Sequence, residues 1–295
     1  MTKLLKIHLK SPWSPEFRTT SAIFSKSVSL MEADALLCDW QPDATLLTYN
    51  GPKAWYCCEP PNQFQSIDHG KWPLFRKQLD EKYFLSHDHP NPLCRIPHIT
   101  HFDNLSINRN LKRNRLAISI VSNHGGSPLR RVRSINFRNN YITHPLIDLY
   151  GRSSWQNYRR KWYSRPRVPS NYKGELPGDW HKAEKRELMS QYRFAVCLEN
   201  EPGPYYFTEK FVEAVCAGCI PIYQSHPSLR DNVLKGALWL EPKENVEETI
   251  RDCQLELEEV QTCNSNWIQN NSYLHDTSIR SVYEKIEAYF RSYTR

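Results

Sequence analysis

The side chains best suited to chemistry lie together in residues 199–210, with the sequence ENEPGPYYFTEK. This segment supplies carboxylates, an amide, two tyrosines and a lysine. A nucleotide phosphate could be bound there by Lys210 and by the free N–H groups at the start of a following helix. A lysine in a first helical turn opposes the helix dipole, so a bound anion would explain its position. The alternative is a solvated helix start that binds nothing.

A strand, a helix and a second strand are predicted to position this segment. Residues 194–198 are apolar without a helical period, as in a strand buried on both faces. Thr208 suits a helix N-cap, and Gly218 suits the residue that follows a helix. Residues 219–223 predict the second strand and complete a right-handed βαβ unit. Ligands of such sheets bind beyond the carboxyl ends of the strands, which is where residues 199–210 lie.

Residues 197–227, CLENEPGPYYFTEKFVEAVCAGCIPIYQSHP, resemble the signature of the α1,3/4-fucosyltransferases of glycosyltransferase family 10. That family has an F-E-N…Y-x-T-E-K…P-I/V-Y pattern in its C-terminal donor domain. The resemblance implies an α/β fold of GT-B type, with two Rossmann-like domains facing each other across a cleft. We predict an acceptor-binding domain over residues 1–114 and a donor domain over 115–270. The helix in residues 271–295 would return towards the first domain.

The resemblance also assigns roles to residues that match the donor-site positions of the family. Asn200 and Tyr206 would supply neutral hydrogen bonds to the donor. Glu209 would accept hydrogen bonds from ribose or fucose hydroxyls. Lys210 would bind the diphosphate together with Arg130, whose sequence context (SN…PLR) is similar to the start of the family's donor domain. The alternative for Arg130 is an ordinary surface arginine in a basic cluster.

Glu59 is a candidate general base. It is the last residue of the predicted strand KAWYCCE, and two prolines follow it. Trp55 and Tyr56 precede it, so a partly desolvated carboxyl with a raised pKa would suit proton abstraction. An exposed loop glutamate is the alternative. In the family, the glutamate at the end of this strand is the proposed catalytic base, and Glu59 is the matching position.

The resemblance implies a reaction as well as a fold. L-fucose would pass from GDP-β-L-fucose to O3 or O4 of GlcNAc in an oligosaccharide acceptor similar to N-acetyllactosamine, with inversion. No cofactor is required, and no metal is predicted, although His87, His89, His98 and His101 lie close together in sequence. Two alternatives stay open: use of another nucleotide sugar, and a non-catalytic module that binds a glycan or a nucleotide.

The net charge of +7, from 39 basic and 32 acidic residues, suits an anionic ligand, a nucleic acid or an anionic membrane surface. Residues 158–174, YRRKWYSRPRVPSNYKG, interleave basic and aromatic side chains. Such a segment could stack on single-stranded nucleic acid or form a loop at the donor site. We predict no nucleic-acid partner. Peripheral contact with a membrane stays open.

The nine cysteines have no spacing typical of a disulfide framework, which indicates a reducing compartment. The pair in CAGC (residues 216–219) closes a helix instead of opening one, so we predict small core residues and no redox site. Lysines interrupt the apolar residues at the N-terminus, and no apolar run is long enough to span a membrane. The predicted location is the cytoplasm, or the Golgi lumen if the chain is a domain cut from a longer eukaryotic protein.

Overall fold

The structure, a computed structural model, describes most of the chain. The described residues are 5–10, 24–25, 28–39, 42–57, 72–97, 105–110, 112–122, 133–158, 165, 167–176, 183–200 and 202–292. They form two compact units. The chain leaves the first unit after Thr100 and returns to it after Leu274. The sequence places the corresponding boundaries at 114/115 and 270/271.

Each unit contains a five-stranded sheet in which every pair of neighbouring strands is parallel. The strands of the first sheet are β1 (Leu5–Lys10), β2 (Phe24–Ser25), β3 (Ala35–Asp39), β4 (Lys53–Tyr56) and β5 (Phe84–Leu85), in the order β2-β1-β3-β4-β5. Those of the second are β6 (Arg115–Ile120), β7 (Ile147–Gly151), β8 (Tyr172–Glu175), β9 (Tyr192–Val196) and β10 (Ile220–Ile222), in the order β10-β9-β6-β7-β8. This confirms the prediction of an α/β fold with parallel sheets.

The helices of the described residues are α1 (Thr45–Thr48), α2 (Trp72–Gln78), α3 (Arg133–Ile142), α4 (Ala183–Met189), α5 (Glu209–Cys216), α6 (Pro227–Arg230), α7 (Val246–Arg251), α8 (Leu257–Asn270), α9 (Ser272–Asp276) and α10 (Ile279–Ser292). Short 3₁₀ turns cover Glu81–Tyr83 and Ser153–Asn157. Within this described part of the chain, every helix is too short or too polar to cross a lipid bilayer.

The second sheet is buried on both faces. Along β9, Phe194 and Val196 join one apolar cluster, whereas Ala195 joins another. Because successive side chains of a strand point to opposite faces, a strand between two cores must be apolar throughout. The continuous apolar run predicted this arrangement, and the structure confirms it.

The terminal helix α10 packs within the first unit. Val282, Ile286 and Phe290 are fully buried in a cluster that also contains Ile7 and Leu37 from the sheet. These helical residues recur at intervals of four, so they form one stripe along the helix. This stripe fixes α10 to the sheet of the first unit.

The chain between residues 245 and 260 forms two helices and not one. Residues 245–260 have the composition of a single helix, but α7 ends at Arg251 and α8 begins at Leu257. Ile250, Leu255 and Leu257 all pack in the same apolar cluster. On an unbroken helix Leu255 would point well away from Ile250, since five residues turn the helix by about 140° beyond a full turn. The break allows these side chains to enter one core.

Candidate functional site

The segment 197–208 connects the carboxyl end of β9 to the start of α5, as the sequence predicts. Thr208 is the N-cap of α5, and its hydroxyl accepts a hydrogen bond from the Lys210 backbone N–H at 3.5 Å. After the helix, Gly218 has a φ of +73°, in the left-handed region where glycine is favoured. Both predicted ends of the helix are therefore confirmed.

A buried carboxylate, Glu199, holds the two ends of this segment together. Its side chain is 1% exposed. It accepts hydrogen bonds from the Thr208 backbone N–H at 3.0 Å, from the Thr208 hydroxyl at 2.7 Å and from Lys210 Nζ at 2.8 Å. These three donors replace hydrogen bonds that the carboxylate would otherwise make to water. Glu199 thus fixes the end of β9 to the first turn of α5.

Lys210 is the cation of this network. Burial disfavours its charge, but the carboxylates of Glu199 and Glu209 more than offset that effect and raise the pKa of Lys210 above its ordinary value. Its side chain is 17% exposed, and its Nζ lies 3.8 Å from Glu209 Oε1. The ion pair with Glu199 therefore accounts for a lysine in the first turn of α5, and no bound anion is needed to explain its position. Phosphate binding by Lys210 stays a prediction.

A fully buried arginine, Arg138 of α3, lies beside the same segment. It donates through Nη1 to Asn200 Oδ1, and through Nη2 to Asn139 Oδ1 at 3.1 Å and to the Ser122 carbonyl at 3.4 Å. Burial lowers the pKa of the guanidinium to about 10, although the nearby Glu199 carboxylate acts in the opposite direction. The group is still a cation at neutral pH, so the site contains one fully buried positive charge, on Arg138, and one partly exposed positive charge, on Lys210.

Sequence reasoning did not identify Arg138. A signal was present, because Arg138, Tyr141 and Ile142 occupy positions i, i+3 and i+4 of α3 and share one face of the helix. Tyr141 and Ile142 are both buried. An arginine on an apolar helix face needs polar partners inside the protein. This requirement would have indicated Arg138 as a member of a buried polar site.

The hydrogen bond from Arg138 orients the amide of Asn200. Since Asn200 Oδ1 accepts from the guanidinium, the Nδ2 group is directed elsewhere and can donate to a ligand. Asn200 is partly exposed, whereas Arg138 is not. The role of Asn200 in ligand binding stays a prediction. We expect Asn200 to act there as a hydrogen-bond donor through Nδ2, because its Oδ1 already accepts from Arg138.

Tyr206 is turned inwards by a tight turn. Its backbone N–H donates to the Gly203 carbonyl at 3.2 Å, and its side chain is buried near Arg138. The preceding Tyr205 has a φ of +57°, which costs a non-glycine residue about 1–2 kcal/mol. Its N–H donates to Ser228 Oγ at 3.1 Å, which helps to hold the turn.

The structure brings four of the six predicted site residues together. Asn200, Tyr206, Glu209 and Lys210 lie in, or directly beside, the network built on Glu199 and Arg138. The other two, Glu59 and Arg130, lie outside the described residues.

One histidine of the group singled out in the sequence, His89, has hydrogen-bond partners in the structure. His89 Nδ1 accepts from the Asn91 backbone N–H at 3.0 Å, and its Nε2 lies 3.3 Å from the Glu81 carbonyl. His98 and His101 are outside the described residues. Among the described residues, no group of three or more histidine, cysteine or acidic side chains is placed to hold a metal ion.

The two cysteines of the CAGC sequence are buried thiols. Cys216 and Cys219 are 3% and 1% exposed. Burial raises the pKa of Cys216 to about 11 and that of Cys219 to about 12. A thiol with so high a pKa is a poor nucleophile at neutral pH. The prediction that these residues are part of the core is confirmed.

Two parallel α/β units, one of which carries a polar network beyond the carboxyl end of β9, place the protein in the GT-B class of glycosyltransferase folds. Residues 110–235 match the family model "Glycosyltransferase family 10 (fucosyltransferase) C-term". Over this part of the chain the resemblance seen in the sequence is confirmed.

Two curated relatives match shorter segments. Alpha-(1,3)-fucosyltransferase FucT of Helicobacter pylori is 47% identical over 45 residues, which are 15% of this chain and 9% of that protein. Alpha-(1,3)-fucosyltransferase B of Drosophila melanogaster is 31% identical over 64 residues, or 22% of this chain and 14% of that protein. The chain therefore matches only a small part of the length of either relative.

A solved structure supports the fold over nearly the whole chain. The crystal structure of an α1,3-fucosyltransferase with GDP has a TM-score of 0.54 and is 15% identical, and the match covers 97% of this chain and 90% of that one. A second crystal structure of an α1,3-fucosyltransferase has a TM-score of 0.53 at 14% identity. At such low identity the likeness establishes the fold alone.

Proposed function

We propose that this protein is an inverting fucosyltransferase. It moves L-fucose from GDP-β-L-fucose to O3 or O4 of GlcNAc in an oligosaccharide acceptor similar to N-acetyllactosamine. The observation that carries the proposal is the network at residues 199–210, which lies inside the family 10 match and assembles Asn200, Tyr206, Glu209 and Lys210 around two buried charges.

The donor is held by groups with different charges. The exposed part of Lys210 and the side chain of Arg130 bind the diphosphate, which needs cations. Asn200 Nδ2 donates to a neutral oxygen of the donor. Glu209 is one quarter exposed, and as a carboxylate it accepts hydrogen bonds from ribose or fucose hydroxyls.

Transfer requires one proton acceptor and a stabilised leaving group. Glu59 takes the proton of the acceptor hydroxyl while that oxygen forms a bond to C1 of fucose. The bond from C1 to the phosphate oxygen breaks on the opposite face, and GDP leaves with the electron pair. General-base catalysis of this kind contributes about 10²–10⁴-fold. Lys210 and Arg130 stabilise the negative charge that develops on the diphosphate.

Release of GDP tests the proposal directly. Wild type, Glu59→Gln and Lys210→Ala are compared with GDP-fucose and a Galβ1-4GlcNAc acceptor. Lys235→Ala is the matched control, because Lys235 is exposed and lies outside the network. We expect both site variants to lose at least about a hundredfold in rate, and an NMR spectrum of the product to show an α-linked fucose. Equal rates in wild type and both site variants would reject the assigned roles.

The same experiment separates the alternatives. Turnover with another nucleotide sugar, and none with GDP-fucose, would identify a different glycosyltransferase. Binding of GDP in calorimetry without turnover of any donor would instead identify a non-catalytic module.

A further inference from the structure

A cavity of about 610 Å³ opens in the second unit, away from the network at residues 199–210. One of its walls is the last turn of α3 and the turn that leads into β7, and the other is the loop that precedes β8. The turn into β7 lies at the amino end of that strand, whereas the network lies beyond the carboxyl end of β9. The volume is within the range of about 300–1,000 Å³ that is usual for small-molecule sites.

Hydrogen bonds fix both walls of this cavity. Behind the first wall, the buried Asn171 donates through Nδ2 to three backbone carbonyls between residues 142 and 147, at 2.6 to 3.1 Å. In the second wall, the Arg167 backbone N–H donates to the Tyr158 carbonyl at 2.8 Å. Hydrogen bonds therefore hold the backbone at residues 142–147, 158 and 167 before any ligand binds, which reduces the entropy cost of binding.

The charges that line the cavity are positive. Arg165 and Arg167 contribute guanidinium groups, and His144 contributes an imidazole. Among the described residues, no lining side chain is a carboxylate, and neither arginine makes an ion pair. The nearest acid to the imidazole is the exposed Glu247, whose Oε1 lies 3.8 Å from His144 Nε2. An anion would thus meet two guanidinium groups that have no competing carboxylate.

The aromatic side chains near the cavity argue against nucleic acid as its ligand. Stacking of bases requires exposed rings. Tyr158 is only 8% exposed, and Trp155 is fully buried, where its Nε1 donates to the Val121 carbonyl at 2.7 Å. These two rings pack against each other with their centroids 5.3 Å apart. They belong to the core, so these two rings are not available to stack on a base.

We propose that this cavity binds a phosphate or sulfate monoester of a sugar. A planar guanidinium forms paired hydrogen bonds with such oxyanions, and two of them line the site. The polar side chain of Asn140 is placed to bond a sugar hydroxyl, and the exposed Val168 offers an apolar surface to the face of a ring. The proposal requires no fucosyl transfer, so it stands or falls independently of the catalytic activity.

Isothermal titration calorimetry tests this site. Glucose 6-phosphate, glucose 6-sulfate, glucose and inorganic phosphate are each titrated into the 295-residue chain in the presence of saturating GDP, which keeps the donor site occupied. The test variant is Arg165→Gln/Arg167→Gln. The control is Lys235→Gln/Arg251→Gln, which removes the same charge from exposed positions outside the cavity.

We expect wild type and the control variant to bind both esters alike and to bind neither glucose nor inorganic phosphate with comparable affinity. The test variant should bind the esters at least about tenfold more weakly per arginine removed, since each charge-assisted bond contributes that much or more. Unchanged melting temperatures would show that both variants are folded.

Several results would overturn the proposal. One is that wild type binds neither ester, and another is that the test and control variants lose the same affinity for the esters. A third is that wild type binds a single-stranded oligonucleotide more tightly than the esters. Inorganic phosphate binding as tightly as glucose 6-phosphate would assign the cavity to a free anion. Displacement of the esters by GDP would show that they occupy the donor site.

Discussion

The substitution Glu199→Gln tests whether one buried carboxylate holds the site together. Glutamine preserves the size of the side chain but removes the charge that faces Lys210 at 2.8 Å. Lys210 would then be left with Glu209 at 3.8 Å as its nearest acid, and Arg138 would lose the carboxylate that favours its charge. Removing one partner of a buried ion pair typically costs about 3–5 kcal/mol. Lys210 is 17% exposed and can partly rehydrate, so we expect about 3 kcal/mol.

The measurement is the free energy of unfolding in a double-mutant cycle. Glu199→Gln, Lys210→Met and the double variant are compared by urea denaturation and by calorimetry. The double variant should be more stable than the sum of the single losses predicts, by about 1–3 kcal/mol, because it leaves no uncompensated charge. Glu284→Gln is the control, since Glu284 pairs with Arg280 at an exposed position and such pairs contribute less than about 1 kcal/mol. A loss for Glu199→Gln as small as that of the control, or strict additivity, would refute this account.

The remaining predictions concern the same unit. The pKa of Lys210 is raised above its ordinary value of 10.5. The stability that its charge contributes should therefore be complete below pH 10.5 and should fall as the pH rises through the folded-state pKa. The difference in unfolding free energy between wild type and Lys210→Met, measured as a function of pH, checks this dependence. Asn200→Asp should keep the melting temperature, since a carboxylate also accepts from Arg138, but should weaken binding of GDP-fucose about tenfold in calorimetry because the amide donor is lost. Lys185→Met should destabilise the fold by about 3–5 kcal/mol in urea denaturation, since it removes the ammonium that pairs with the buried carboxylate of Glu213; a loss below 1 kcal/mol would contradict this.

The βαβ unit around β9 and α5 was predictable because its signals are local. The apolar run of β9, the N-cap at Thr208 and the glycine at 218 each act within a few residues of their own position. The motif in residues 197–227 also lies in one continuous stretch, so the family resemblance and four of the candidate site residues could be identified without a structure.

The partners of those residues could not be identified in the same way. Asn200 meets Arg138 across 62 positions of sequence, and that contact exists only because β6 and β9 are neighbours in the sheet. The break between α7 and α8 likewise follows from a shared core and not from a proline or a glycine, neither of which occurs in residues 252–256.

The sequence by itself determined the parallel α/β class, the ends of α5 and the set of side chains available beyond β9. Only the tertiary structure decided that Glu199 pairs with Lys210 and that Arg138 donates to the amide oxygen of Asn200. Hydrophobic period and capping depend on neighbours along the chain, which the sequence displays directly. The charge state and orientation of a buried polar group depend on which distant groups replace its lost water, and folding alone brings those groups together.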